Sequence, residues 1–92
     1  MNKENFMADM PENVNKIAVN SFPITLTQFL KWAGLVLTGG EAKELVREGL
    51  VLLNGQVCTV AGQKLQAGDL VTLAADDEVD EEMHYLVMAE EF

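Results

Sequence analysis

Few side chains in this sequence could do chemistry, and they are scattered along it. His84 is the single histidine and Cys58 the single cysteine. Asp80, Glu81 and Glu82 stand near His84, but one imidazole among neighbouring acids has no recognisable metal-ligand spacing, so no metal site is expected. A lone cysteine makes neither an internal disulfide nor a thiolate cluster. Cys58 beside Val57 reads as a small apolar packing residue rather than a reactive thiol. No His, Cys or Ser pairing resembles a nucleophile with its base, and Gly39-Gly40 lacks the pattern of a nucleotide-binding loop. Catalysis and a bound cofactor are therefore not expected. What remains is a set of basic side chains and one tryptophan. Lys43 and Arg47 are four residues apart, which puts both on one face of a helix. Glu44 between them leaves open the plainer reading, a solvated face of an amphipathic helix. Lys64 has the same two readings. Trp32 could stack on a base, although its place between Phe29 and Ala33 favours a partly buried core position.

The elements that must position these residues are legible in outline. Met1 to Glu12 has no apolar period, ends at Pro11 and reads as a flexible arm over residues 1–13. Val14 to Asn20 suggests a short strand. Phe22-Pro23-Ile24 is extended, because the residue before proline avoids helix. Thr27 can cap a helix whose apolar face is Phe29, Leu30 and Ala33, stopped at Gly34. Thr38-Gly39-Gly40 is a second start signal. The clearest helix runs over 41–48, with Ala42, Leu45 and Val46 on one face and Gly49 at its end. The short linker predicts that the two helices fold back on each other. Leu50 to Leu53 and Gln56 to Thr59 flank Asn54-Gly55, the strongest two-residue hairpin signal. Val60 to Lys64 reads as a loop, Gly68-Asp69 as a turn and Leu70 to Leu73 as a strand. Residues 83–92 suit a helix through Val79, Met83 and Leu86. They suit a strand slightly better, through the alternation of Tyr85, Val87 and Ala89 with Leu86 and Met88.

At 92 residues with 49% apolar and 23% charged composition, the chain has room for one small folded domain and is not a disordered polymer. The longest apolar run, Tyr85 to Ala89, is like Leu50 to Leu53 far short of the roughly 20 residues a membrane span needs. No basic start followed by an apolar block and a cleavage site is visible, so a cytoplasmic location and no membrane partner are expected. The net charge of −9 is unevenly spread. Residues 76–92 hold Asp76, Asp77, Glu78, Asp80, Glu81, Glu82, Glu90 and Glu91 with no Lys or Arg, a charge of −8. Residues 21–75 balance to zero, so a local positive patch can exist there despite the acidic total. The acidic segment has two readings, solubility and an internal phosphate mimic that competes for Lys43, Arg47 and Lys64.

Taken in order, Ile24-Thr25-Leu26-Thr27-Gln28-Phe29-Leu30-Lys31-Trp32-Ala33-Gly34-Leu35, Thr38-Gly39-Gly40-Glu41-Ala42-Lys43, Glu48-Gly49-Leu50-Val51-Leu52-Leu53-Asn54-Gly55 and Gly62-Gln63-Lys64-Leu65 with Gly68-Asp69 resemble the S4-type RNA-binding domain. They are most similar to its small bacterial stand-alone members of the YaaA type. The resemblance covers about residues 17–75. It implies an α+β fold, with two short helices packed on a small bent antiparallel sheet (the S4-like, alpha-L motif). The S4-like domain would span 14–75, between the flexible arm and an acidic segment over 76–92 that can include a terminal strand. The resemblance also implies that structured RNA, ribosomal RNA or tRNA, lies against the second helix and the loop before the Gly-Asp turn. Carried over by residue, that points to Thr38, Gly39, Gly40, Lys43, Arg47 and Lys64. The glycine pair would let backbone amides approach a phosphate at a helix start, where the dipole favours an anion. Stand-alone members usually carry two arginines before the loop glycine and a basic residue after it. Here Val60, Ala61 and Gln63 take those places, leaving a reduced basic patch. The expected activity is a ribosome-associated, non-catalytic RNA-binding module. The alternative is a protein-interaction domain that keeps the fold, with Val60 and Ala61 as an apolar contact and the acidic segment docking a basic protein.

Overall fold

The computed structural model of the chain describes residues 13–75 and 80–90. Most of the expected arm, together with Asp76 to Glu78 and Glu91 of the acidic segment, lies outside the described residues. The elements are β1 (Val14–Val19), β2 (Ile24–Thr25), α1 (Leu26–Trp32), α2 (Gly39–Arg47), β3 (Val51–Leu53), β4 (Gln56–Val57), β5 (Lys64–Leu65), β6 (Leu70–Leu73) and β7 (Met83–Ala89). Five strands form one sheet in the order β1-β7-β6-β3-β4, and β2 pairs with β5 in a separate two-stranded ribbon. This is the expected α+β architecture of two short helices and a small sheet.

Local chemistry explains the helix limits. The N-cap of α1 is Thr25, not Thr27: its side chain accepts from the Gln28 amide at 3.2 Å, and the Gln28 side chain accepts from the Thr25 amide at 2.9 Å. Thr25-Leu26-Thr27-Gln28 is thus a capping box, in which two orphan amides are satisfied reciprocally. Helix α2 starts two residues before the expected 41, because Thr38 caps it through the Glu41 amide at 3.1 Å. Both helices end as expected, at Gly34 and Gly49, each with a φ of 76° that a side chain would disfavour.

The β3–β4 hairpin of the sheet turns at Asn54-Gly55, as the sequence predicts. Asn54 and Gly55 both adopt positive φ, 51° and 88°, the geometry that a two-residue turn of matching twist needs. Asn54 does a second job. Its backbone amide donates to the Leu70 carbonyl at 2.8 Å and its side-chain oxygen accepts from the Leu70 amide at 2.9 Å. Its side-chain nitrogen donates to Asp69 Oδ1 at 3.1 Å, while Asp69 Oδ2 accepts from the Gln66 amide at 2.8 Å. The Asp69 carboxylate therefore ties the Gly68-Asp69 turn to the β3–β4 hairpin.

Met83–Ala89 form a strand, the reading that the alternation of the C-terminal segment favours. β7 runs antiparallel to β6 in the register Val71↔Tyr85 and parallel to β1 in the register Ile17↔Val87. The pairs among β3, β4, β6 and β7 are antiparallel, and β1 adds one parallel edge to them. Tyr85 and Val87 are buried while their neighbours His84, Leu86 and Met88 are partly or fully exposed, the period-2 pattern of a strand with one face on a core. A boundary at residue 75 divides the chain by charge but not by structure, since β7 lies between β1 and β6. One core joins Val19 and Val87 of the sheet to Leu26, Phe29 and Leu30 of α1 and to Ala42 and Val46 of α2.

Candidate nucleic-acid interface

Helix α2 divides its exposed surface by charge. At about 100° per residue, Ala42 and Val46 turn inward and both are fully buried. Lys43 and Arg47 follow on one flank, about 40° apart around the axis, with Gly40 beside them. Glu44, Glu48 and Glu41 continue round the axis from Gly40, with Glu44 about 60° from Arg47, and they line a shallow hollow with Leu35, Val36 and Leu45. Among the described residues the one charge pair within 4.0 Å is His84 Nε2 with Glu82 Oε1, at 3.9 Å. Lys43, Arg47 and Lys64 are exposed and have no carboxylate within that distance among those residues.

The N-terminus of α2 is partly spent. Thr38 Oγ1 takes the Glu41 amide and the Thr38 carbonyl takes the Ala42 amide at 3.2 Å, leaving the Gly39 and Gly40 amides for an anion. Glu41 places a carboxylate in this first turn, with its Oε1 accepting from the Thr38 hydroxyl at 3.4 Å. That negative charge already interacts with the helix dipole. The structure thus brings five of the six expected residues, Thr38, Gly39, Gly40, Lys43 and Arg47, onto one helix.

Lys64 is elsewhere. It sits on β5, opposite Thr25 in the β2–β5 ribbon. The Val60–Lys64 segment is not a free loop, because its backbone caps α1: the Leu26 amide donates to the Gln63 carbonyl at 2.7 Å and the Thr27 amide to the Ala61 carbonyl at 3.4 Å. Val60 projects from this segment with 56% of its surface exposed, and Val57 on the edge strand β4 is exposed at 58%.

Two features of this side of the molecule escaped the sequence. Trp32 is not a core residue: 48% of its surface is exposed, and its indole Nε1–H donates to the Ala18 carbonyl at 2.7 Å. Leu37, directly before Thr38, is almost wholly exposed. In the linker Leu35 packs partly against the core and Val36 is buried, so burial stops at Leu37 with no period for the sequence to show. Cys58 and His84 have structural surroundings. Cys58 Sγ is 3.8 Å from the Val60 carbonyl, and His84 Nδ1 lies 2.8 Å from the hydroxyl of Thr72, which is buried. Of the acidic segment, Asp80, Glu81, Glu82 and Glu90 are exposed.

The profile of the S4 domain family matches residues 17–80. Over 59 residues the chain is 41% identical to the probable ribosome maturation protein RlbA of Bacillus subtilis (strain 168), covering 64% of this chain and 83% of that protein. Over 62 residues it is 34% identical to the tyrosine–tRNA ligase of Ralstonia nicotianae and 31% identical to that of Burkholderia lata. Each alignment covers 67% of this chain but only 16% and 15% of the respective ligase.

Proposed function

This chain belongs to the S4 domain family, and from that membership we propose that it is a non-catalytic RNA-binding module for structured RNA, ribosomal or tRNA-like. It would act in the cytoplasm in association with the ribosome. The similarity to a probable ribosome maturation protein over most of that protein's length supports the ribosomal side of this reading. The similarity to short portions of two tyrosine–tRNA ligases supports RNA as the shared ligand and brings no ligase chemistry with it. The observation that carries the reading is the charge division of α2. Lys43 and Arg47 share a flank, are exposed and are unpaired among the described residues, and the Gly39 and Gly40 amides stand at the start of the same helix. Lys64 adds a third cation from β5. Shape complementarity and backbone contacts suit an RNA helix, which is recognised largely without reading its bases. The test is binding of a labelled ribosomal RNA hairpin by fluorescence anisotropy at low salt. Wild-type binding should be lost or greatly weakened in Lys43→Ala/Arg47→Ala, whose fold should be unchanged.

The exposure of Val57 and Val60 favours a second reading, a protein contact at the β4 edge and the following segment. Val60→Arg/Ala61→Arg separates the two. The segment caps α1 through backbone carbonyls, so the exchange leaves that cap in place. Added cations should strengthen hairpin binding several-fold at low salt if RNA lies here. Unchanged RNA binding with loss of a protein partner would favour the second reading.

A further inference from the structure

Beside the C-terminal end of α1 is a hollow of about 450 Å³, lined by Ser21, Pro23, Ile24, Gln28, Lys31 and Trp32. We propose that this hollow is a site for a single unpaired nucleotide, whose base stacks on the Trp32 indole and whose phosphate meets Lys31. The proposal rests on the RNA-binding reading and adds a separate, single-stranded element to it.

Three observations carry the inference. The first is the state of the tryptophan. Its one polar group, the Nε1–H, is spent on the Ala18 carbonyl at 2.7 Å, which holds the ring against the edge of β1 while nearly half the side chain stays exposed. A ring held in this way is a preorganised apolar face, and every base offers a π-face to stack on one. The second is the division of chemistry around it. Pro23 and Ile24 supply apolar wall, and Gln28, whose Oε1 is engaged by the Thr25 amide at 2.9 Å, has its amide N–H groups left as donors for a base edge. The third is charge. The chain carries −9 overall, yet among the described residues no Asp or Glu lines this hollow and Lys31 does. The hollow beside α2, by contrast, is lined by three glutamates. An anionic aromatic ligand fits the first hollow and is repelled by the second.

Trp32 is the single tryptophan of the chain, so its emission reports this site alone. The experiment compares a blunt RNA hairpin with the same hairpin carrying a short single-stranded 3′ extension, and titrates a single-stranded oligouridylate against tryptophan emission. The extension should tighten binding about ten-fold, and Trp32→Ala should erase that gain while leaving the blunt hairpin's affinity unchanged. Trp32→Phe, which keeps a ring but lacks the N–H, should retain part of the gain. It guards against a variant that fails by loosening β1. The oligouridylate should quench the wild-type emission saturably. Equal affinity for the two hairpins with unchanged emission would overturn this site while the RNA-binding reading stands. Loss of binding to both hairpins would overturn that reading. The oligouridylate titration then decides the site by itself, and an unquenched emission overturns it. Quenching by a proline-rich peptide but not by the oligouridylate would assign the hollow to protein and refute the nucleotide.

Discussion

The sharpest consequence of the charge division on α2 is a number of released counterions. Lys43, Arg47 and Lys64 are exposed and unpaired among the described residues, so each is free to meet one phosphate. Three contacts give a slope of log affinity against log salt of about −2 to −3. Between 50 and 200 mM salt, about 0.6 on that logarithmic axis, the wild-type affinity for an RNA hairpin should fall roughly 20- to 40-fold. Lys43→Ala/Arg47→Ala leaves only Lys64, and the same change of salt should then weaken binding about three-fold. The two side chains lie on the surface and bond to nothing described, so the substitution should move stability by no more than about 0.5 kcal/mol. Fluorescence anisotropy at four salt concentrations, with a thermal melt of each variant, measures both quantities. A double variant with the wild-type slope would show that α2 does not contact phosphate. A wild-type slope near zero would refute phosphate contact altogether.

Two further outcomes follow from the fold. Asp69→Ala removes the carboxylate that accepts from both the Asn54 side chain and the Gln66 amide. It should cost about 2 kcal/mol, a fall in melting temperature of roughly 10 °C, with RNA affinity unchanged in the folded protein; an unshifted melt would show that the two turns are not coupled through it. For the acidic segment, truncation after Ala75 removes β7 from between β1 and β6 and should abolish cooperative unfolding, so it cannot report on electrostatics. Replacing Asp80, Glu81, Glu82 and Glu90 by their amides keeps the strand. None of these four lies within 4.0 Å of a Lys or Arg among the described residues, so any effect acts through the long-range field. RNA affinity should rise a few-fold at 50 mM salt and hardly at all at 200 mM. A gain that persists at 200 mM would instead indicate direct competition for the basic residues.

What could be read from the sequence was local. Asn54-Gly55, Gly34, Gly49 and Thr38 each declare a backbone conformation through their own chemistry, and each stands where that chemistry requires it. The i, i+4 spacing of Lys43 and Arg47 declared a shared face for the same reason. Partner choice was not legible. Nothing in Val14–Val19 says that it will lie parallel to a strand some seventy residues later, and nothing in the charged run before Met83 says that β7 enters the middle of the sheet. The short β2–β5 ribbon was missed because two residues carry no period, and its partner segment looked like an ordinary glycine loop. Trp32 was misplaced by neighbourhood. Phe29 and Ala33 pack toward the core, but Trp32 is rotated about 100° from Ala33, toward the edge of β1, and whether an edge or a core awaits it is a tertiary fact.

The same distinction explains how an acidic chain can offer a surface to RNA. Net charge sets the far field, and at −9 that field opposes approach at low salt. Contact is decided within a Debye length, about 8–10 Å near physiological salt, and there the arrangement of side chains outweighs their sum. Here the arrangement is segregated: on α2 Lys43 and Arg47 share one flank while Glu41, Glu44 and Glu48 line a hollow with Leu35, Val36 and Leu45, and among the described residues no carboxylate lines the hollow at Trp32. Segregation of this kind needs no positive total. It also sets a requirement on the ligand, which must gain enough from Lys43, Arg47 and Lys64 to offset repulsion from the rest of the chain. Three phosphate contacts alone make a weak complex. Stacking on a preorganised indole is insensitive to the chain's total charge, and it is the term that a protein with so few cations has most to gain by adding.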